Sequence, residues 1–474
     1  MSDPFARLKA VVGEKGFTED PKDIAPHLEE WRNKYHGRSS LMLKPAATAE
    51  VAAILGICHD TGTPIVPQGG NSGLVGGQIP FHGEVLLSLK RMNKPPIVDT
   101  PGMTMTAEAG VVLAEAQRAA GDAGLLFPLS LSSEGSCTIG GNISTNAGGN
   151  HVLRYGMMRA LVLGLEVVLA DGRVLPMLKA LHKDNSGYDL KQIFIGSEGT
   201  LGIVTAATLR LFARPAETVV AFVAVTSPAA ALILLNHMQA STGGLLSAFE
   251  LIPRIAVELV MKHIPGVRDP LHKPAPWYVL IEVSGGNGTG LSDVVTNALV
   301  EVPFPPGADA NYTAATIAQN EMHAKEFWRI RESISEAQKR EGASIKHDIS
   351  VPVAAIPAFI EKATAAVLAK FPGARPVTFG HLGDGNLHFN FNAPPGRDAE
   401  FLADWDEMQL TVHDIVKEFS GSISAEHGIG SMKRDLLLRY KSTEELDAMR
   451  ALKAAFDPKN ILNPGKLVPP VKRL

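Results

Sequence analysis

The sequence predicts an α+β chain of two or three domains, and three observations carry that prediction. Its 474 residues exceed the usual span of one domain, roughly 100–200 residues. Residues 1 to about 215 interleave many short strands with a few helices. From about 216 onward, longer strands alternate with helices, the pattern of a sheet with helices on one face.

In chain order, AATAEVAAILGICHDT (46–61) reads as an amphipathic helix with a polar start, and PIVPQ (64–68) as a short strand ending in a glycine-rich loop. EVLLSL (84–89) and TMTAEAGV (104–111) read as strands, and VLAEAQRAAGDAG (112–124) as a helix stopped by Gly124. ALVLGLEVVLADGRVL (160–175) holds two strands joined at Asp171-Gly172, a strong hairpin signal. GTLGIVTAATLRLFARP (199–215) is strand-rich and closed by a proline. TVVAFVAV (218–225) and WYVLIEVSG (277–285) are strands flanking the helix AALILLNHM (230–238). Residues 286–312, with GGNGTG and PFPPG, read as a loose connection. A long helix is expected over about 314–341, then a strand, SIKHDISVP (344–352).

Composition narrows the function classes. A formal charge of -4 with no clustered basic stretch excludes a nucleic-acid footprint. Two cysteines, Cys58 and Cys137, make no CxxC pair and too few bridges for a disulfide scaffold, which fits a reducing, cytoplasmic setting. Neither a signal-peptide core nor a run of about 18 apolar residues is present, so no transmembrane segment is expected. Peripheral membrane contact and a homodimer stay open.

Three glycine clusters stand out. PQGGNSGLVGG (67–77) follows a strand and lacks the GK[ST] of a P-loop and the spacing of a dinucleotide fingerprint. Consecutive N–H groups in such a loop can form a concave anion site, although a structural turn explains it equally well. SSEGSCTIGGNISTNAGGNHVLRYG (132–156) mixes Gly, Ser, Thr and Asn too densely for a core strand, and GSEGTLGIVT (196–205) is the third cluster. Together they favour a backbone wrapped around a large flavin nucleotide.

A second constellation lies further on. In VTFGHLGDGNLHFNFN (377–392), Asp384-Gly385 suits a two-residue turn that would pair His381 with His388. Both imidazoles would share one face with Asn390 and Asn392, while Leu387, Phe389 and Phe391 take the other. Glu426-His427, in SAEHGIG, adds a carboxylate and an imidazole, and the bland alternative is an exposed loop pair. Arg331 and Ser335 are four apart on the expected helix, with Lys346, Asp348 and Ser350 on the strand that follows. These charges are either an ordinary solvated face or a carboxylate clamp.

PQGGNSGLVGGQIP, IGGNISTNAGG, RYGMMRALVLGLEVVLADG, KDNSGYDLKQIFIGSEGTLGI, GHLGDGNLHFN, SAEHGIG and DPKNILNPGK run in order from about residue 60 to 466. With them the chain resembles the vanillyl-alcohol oxidase and p-cresol methylhydroxylase (PCMH) superfamily, in its D-lactate dehydrogenase-like branch. The resemblance implies a two-subdomain FAD-binding domain of the PCMH type over 38–215, after an N-terminal segment (1–37). An α+β substrate (cap) domain over 216–418 would follow, and then a C-terminal segment, 419–474, returning to the flavin.

It further implies non-covalent FAD, its pyrophosphate on Gly69, Gly70, Asn71, Ser72 and Gly73, with Pro67 also at the cofactor. Gly135, Thr138, Gly140, Gly141, Asn142, Ser144, Thr145 and Gly148 would line the flavin and its linker. Glu198, Gly199, Gly202 and Ile203 would contact the adenine end, with Asn463 also at the cofactor. His381, His388 and Glu426 would ligate a divalent metal, zinc by this resemblance. His427 would be the catalytic base and also touch substrate, which Arg331, Ser335, Lys346 and Asn390 would bind. Ser335 stands where the family usually has Thr; the hydroxyl is kept.

The implied activity is oxidation of a small D-2-hydroxy acid, D-2-hydroxyglutarate ahead of D-lactate, D-malate or glycolate. The implied partner is an electron acceptor such as an electron-transfer flavoprotein or a quinone. Rivals from other classes are a metal-dependent hydrolase and a non-catalytic flavoprotein subunit.

Overall fold

The structure, a computed structural model, describes residues 3–303 and 314–470. The chain forms two compact units. The first comprises Met1–Gly149, Gly156–Arg214 and Glu426–Leu474; the second comprises Asn150–Tyr155 and Pro215–Ala425.

The first unit holds two larger sheets. One has four strands in the order Phe17–Thr18, Met42–Leu43, Val85–Ser88, Ile65–Gln68, with the last three parallel. Parallel neighbours need a crossover, and the helix Thr48–Thr61 supplies it, ended by Gly62 in the left-handed conformation. Its buried residues Val51, Ile54, Leu55 and Cys58 pack in one core with Leu41, Leu43, Ile65, Val85 and Leu87. Burial pushes the Cys58 thiol up to about 12, so it behaves as an inert apolar group. The other sheet is antiparallel, five strands in the order Ile97–Asp99, Thr104–Glu108, Ile203–Arg210, Val162–Val168, Val174–Met177. The last pair is the hairpin expected at Asp171-Gly172.

The second unit is built on an eight-stranded sheet. Ala315–Ile317, Glu217–Val225, Trp277–Gly285, Leu246–Pro253, Arg375–His381 and Asn386–Asn392 follow one another, and Ser344–Ile345 and Asp348–Ser350 both pair with the last. Helices were expected on one face. Instead the strand residues 220–225 are all buried, so both faces are covered. Helices Arg254–His263, Glu321–Glu332 and Ile334–Glu341 share a core with Phe222, Tyr278, Leu280 and Phe379. Pro228–Thr242 and Leu291–Val300 pack on each other and on the same strands.

Three sequence expectations are corrected here. The stretch 286–312 was read as loose. Its described part contains the helix Leu291–Val300, with Leu291, Val295, Ala298 and Leu299 as a buried stripe; residues 304–312 lie outside the described residues. The long helix over 314–341 is a short strand plus two helices, divided at Ser333. The strand expected over 344–352 is interrupted at Lys346 and His347, where the His347 N–H donates to the Asn390 side chain.

Candidate active site

In the first unit the glycine clusters pack against one another. A Cβ on Gly70 would overlap the carbonyl oxygen of Ser136, and one on Gly69 would overlap the Thr138 hydroxyl. Those two glycines are therefore required by loop-to-loop packing, whatever else the loops hold. Asn71 adopts a positive φ of 61° and is fixed by its amide, which donates to the Glu29 carbonyl at 2.8 Å and accepts from Gln78 at 3.1 Å. Among the described residues, none accepts a hydrogen bond from the backbone N–H groups of residues 69–73. Five successive N–H groups left over in a half-buried loop suit an anion such as a pyrophosphate.

The second cluster adds a similar fit. Thr138 caps the short helix Ile139–Thr145, its hydroxyl accepting from the Gly141 N–H. Asn142 is buried and no oxygen accepts from its Nδ2; the neighbouring Cys137 thiol is only a weak acceptor. Gly135 faces open space, with nothing within 4 Å of an added Cβ. Free N–H groups, an unused amide and a glycine-lined opening are what a flavin nucleotide needs, so the first unit fits FAD.

The third cluster is tied to the second, since the Glu198 N–H donates to the Ser144 carbonyl at 2.8 Å. The Glu198 side chain turns to the loop that follows His427. It is buried and accepts from the N–H groups of Ile429 at 2.7 Å and Gly430 at 2.8 Å. Burial pushes its pKa up, against the pull of those donors and of Lys433 and Lys466. Asn463 Nδ2 clasps the carbonyls of Gly77 at 2.9 Å and Glu198 at 2.8 Å. Gly199 packs on Pro67, while Gly202 packs on Val167 next to buried Ile203. Thus the loop carrying Glu426 and His427 is held by the third glycine cluster. A Cβ on Gly148 would lie 3.0 Å from Glu426 Oε2, which places that carboxylate against the second cluster.

In the second unit the hairpin differs from the expected one. His381 pairs with Asn386, and Phe379 with His388, so four residues (382–385) form the loop rather than two. The slip is two residues, and the side-chain faces therefore survive. The rings of His381 and His388 are 5.7 Å apart at 70°. On the other side of the same strand, Asp348 pairs with His388, and a carboxylate oxygen lies within 4.8 Å of an imidazole nitrogen. His388 and Asp348 thus bring an imidazole and a carboxylate together as possible donors to a divalent ion, whereas His381, expected as a ligand, turns its two ring nitrogens to Glu250 and Arg331.

His381 Nδ1 lies 2.7 Å from Glu250 Oε1, and Arg331 Nε donates to Glu250 Oε2 at 2.7 Å. Burial alone would raise the Glu250 pKa; His381 and Arg331 overcome that and hold it down to about 2. Glu250 was not among the sequence candidates. Asp384, in the hairpin loop, is also largely buried, and its carboxyl is pushed up by that burial.

Arg331 closes the first of the two helices and Ser335 lies in the second, with Lys346 Nζ donating to the Ser335 carbonyl at 3.3 Å. Asn390 is buried, its oxygen accepting from the His347 N–H at 3.2 Å and its Nδ2 donating to Gln338 at 3.0 Å. Its amide is thus engaged by protein on both sides.

Comparison with known proteins places these features. Residues 39–177 match the model of the FAD binding domain, and residues 214–467 that of the FAD linked oxidases, C-terminal domain. A mitochondrial D-2-hydroxyglutarate dehydrogenase of Bos taurus is 40% identical over 98% of this chain and 84% of its own length. One from Arabidopsis thaliana is also 40% identical, over 98% and 81%. A D-2-hydroxyglutarate dehydrogenase of Xanthomonas citri pv. viticola is 37% identical over 98% and 97%. Among solved structures, p-cresol methylhydroxylase with substrate bound superposes with a TM-score of 0.76 over 98% of this chain and 96% of that one, at 16% identity. The last comparison shows a shared fold of the expected PCMH type.

Proposed function

The chain belongs to the family of FAD-linked oxidases that includes the D-2-hydroxyglutarate dehydrogenases, and on that premise we propose that it oxidises D-2-hydroxyglutarate to 2-oxoglutarate. The observation that carries the reading is the near-full-length identity of 37% to 40% with three relatives of that name.

In this reading Arg331, Ser335 and Lys346 grip a substrate carboxylate. Arg331, its Nε tied to Glu250, presents its terminal nitrogens to a second carboxylate. His427 takes the proton of the 2-hydroxyl, a task suited to an imidazole with a reference pKa near 6.5. FAD, when bound, supplies the acceptor for the hydride that leaves C2. His381, His388 and Glu426 would hold a divalent ion, zinc by preference, whose chemistry is to polarise the hydroxyl. Asn390, committed to Gln338 and His347, keeps the polar face in order. Turnover needs a separate electron acceptor, an electron-transfer flavoprotein or a quinone.

The test is an anaerobic visible spectrum of the purified protein before and after D-2-hydroxyglutarate, then D-lactate, D-malate and glycolate. Bleaching of the flavin band by D-2-hydroxyglutarate at the lowest concentration is expected. A colourless protein sinks the cofactor assignment, and preferential bleaching by another acid sinks the substrate.

A further inference from the structure

The second glycine cluster is interrupted by six residues that belong to the second unit. The chain leaves the first unit after Gly149 and returns at Gly156, and Asn150–Tyr155 lies between. Gly156 turns the chain back with a φ of 77°. Within the second unit the excursion is firmly attached. His151 Nε2 lies 3.1 Å from Glu282 Oε1. The Arg154 guanidinium donates to the carbonyls of Leu245 and Ser284. Leu153 packs on the hairpin loop, where a Cβ on Gly383 would lie 2.8 Å from Leu153 Cδ2.

Glu282 is buried on the strand Trp277–Gly285, where an unsupported carboxylate would be strongly disfavoured. Ser247 sits where the register of the neighbouring strand shifts, and its hydroxyl donates to Glu282 Oε1 at 2.8 Å. Trp328 Nε1 donates to Oε2 at 2.9 Å, from the helix that also carries Arg331. His151, Ser247 and Trp328 together outweigh burial and hold the carboxyl below its usual range. Ser247 and Trp328 fix the carboxylate from the sheet and its covering helix. His151 is the partner that comes from the glycine cluster.

We propose that Glu282 is a positioning residue for FAD: through His151 it latches residues 150–155, and so holds the glycine loop before them ready for the flavin. The inference rests on the reading that the second glycine cluster lines FAD. Gly148 and Gly149 run directly into Asn150. A glycine-rich loop loses much conformational freedom when a ligand orders it. Anchoring its far end removes part of that loss before FAD arrives, so affinity rises without a new contact to the cofactor.

The full-length chain is stripped of flavin, and FAD is titrated back while its fluorescence is followed. His151→Ala removes the latch, whereas His151→Gln keeps an amide donor for Glu282. His151→Ala is expected to bind FAD about tenfold more weakly and to release it faster, the scale of one hydrogen bond to a charged group. Apoprotein melting should stay at the wild-type value, and His151→Gln should restore most of the affinity. Wild-type FAD affinity in His151→Ala refutes the latch. So does a loss of affinity that merely tracks a loss of apoprotein stability, the mark of a purely structural role. Should His151→Ala fail to fold, His151→Leu decides, since it keeps the packing on Tyr155 and Trp328 without the polar contact: unchanged affinity overturns the proposal. Gly135→Ala controls the underlying reading. If it binds FAD as the wild type does, or if the wild-type apoprotein takes up no FAD, the placement of the second cluster at the cofactor fails instead.

Discussion

The carboxylate of Glu198 accepts a hydrogen bond from the backbone N–H of Gly430 at 2.8 Å, across 232 residues of sequence. With the Ile429 N–H on its other oxygen, it pins the turn that follows Glu426 and His427. Gly428 has a φ of 83°, and a Cβ there would lie 2.8 Å from Glu198 Oε1. The turn and its anchor are therefore fitted to each other.

Glu198→Ala leaves the Ile429 and Gly430 N–H groups without their acceptor, at about 1–3 kcal/mol for each buried donor. A loss of about 3 kcal/mol in stability at neutral pH is expected, read by urea unfolding, with slower flavin reduction by substrate. Wild-type stability in this variant would mean that the turn holds itself.

Gly70→Ala and Gly135→Ala should separate packing from cofactor contact. At Gly70 the obstruction is backbone, which cannot swing aside, so overpacking costs about 1–3 kcal/mol even without FAD. At Gly135 an added methyl meets nothing. Apoprotein melting should be unchanged there, while FAD affinity falls about tenfold. Equal melting losses in the two apoproteins would refute this division.

His427→Ala should retain FAD and bind 2-oxoglutarate, yet lose reduction of the flavin by about 100-fold or more, the contribution expected of a general base. Stopped-flow reduction under anaerobic conditions is the measurement. Reduction at the wild-type rate would remove His427 from the mechanism.

Glu341 lies under Arg375, His263 and Lys262, which hold its carboxyl down to about 2. A depressed pKa stabilises the folded state above the unfolded value of 4.5, and that contribution is lost as pH falls toward 2. Glu341→Gln should therefore be less stable than wild type at pH 6, with the gap narrowing at pH 4 and 3.5. A gap that does not change with pH would show that the charge is irrelevant.

The glycine clusters were legible because glycine records close backbone approach, and the sheets because most strands alternate or are bounded by turn residues. The polar face of the hairpin was legible through period two, even though Asp384-Gly385 was read as a tighter turn than exists. There the Asp384 and Gly385 N–H groups both donate to the His381 carbonyl, closing a wider loop. Glu250 was invisible for a physical reason. Its strand is buried on both faces, so the apolar residues around it show no alternation, and nothing local says that Arg331, 81 residues away, will neutralise it. The break at Ser333 was equally hidden, because Glu332-Ser333-Ile334 contains no proline or glycine. The spent carboxylate of Glu198 depends on a partner loop more than 200 residues distant.

Ile65 is flanked on its outer side by residues 461–463: its N–H donates to Ile461, and its carbonyl accepts from Asn463. A ribosome making this chain releases that flanking piece only after residues 215–425 of the second unit. The flavin-binding half therefore waits, with one border of its sheet uncovered, while nearly all of the other half has already been made. Assembly of the cofactor domain waits for residue 461, and a nascent chain stalled before that residue should be open to strand-adding chaperones and slow to retain flavin.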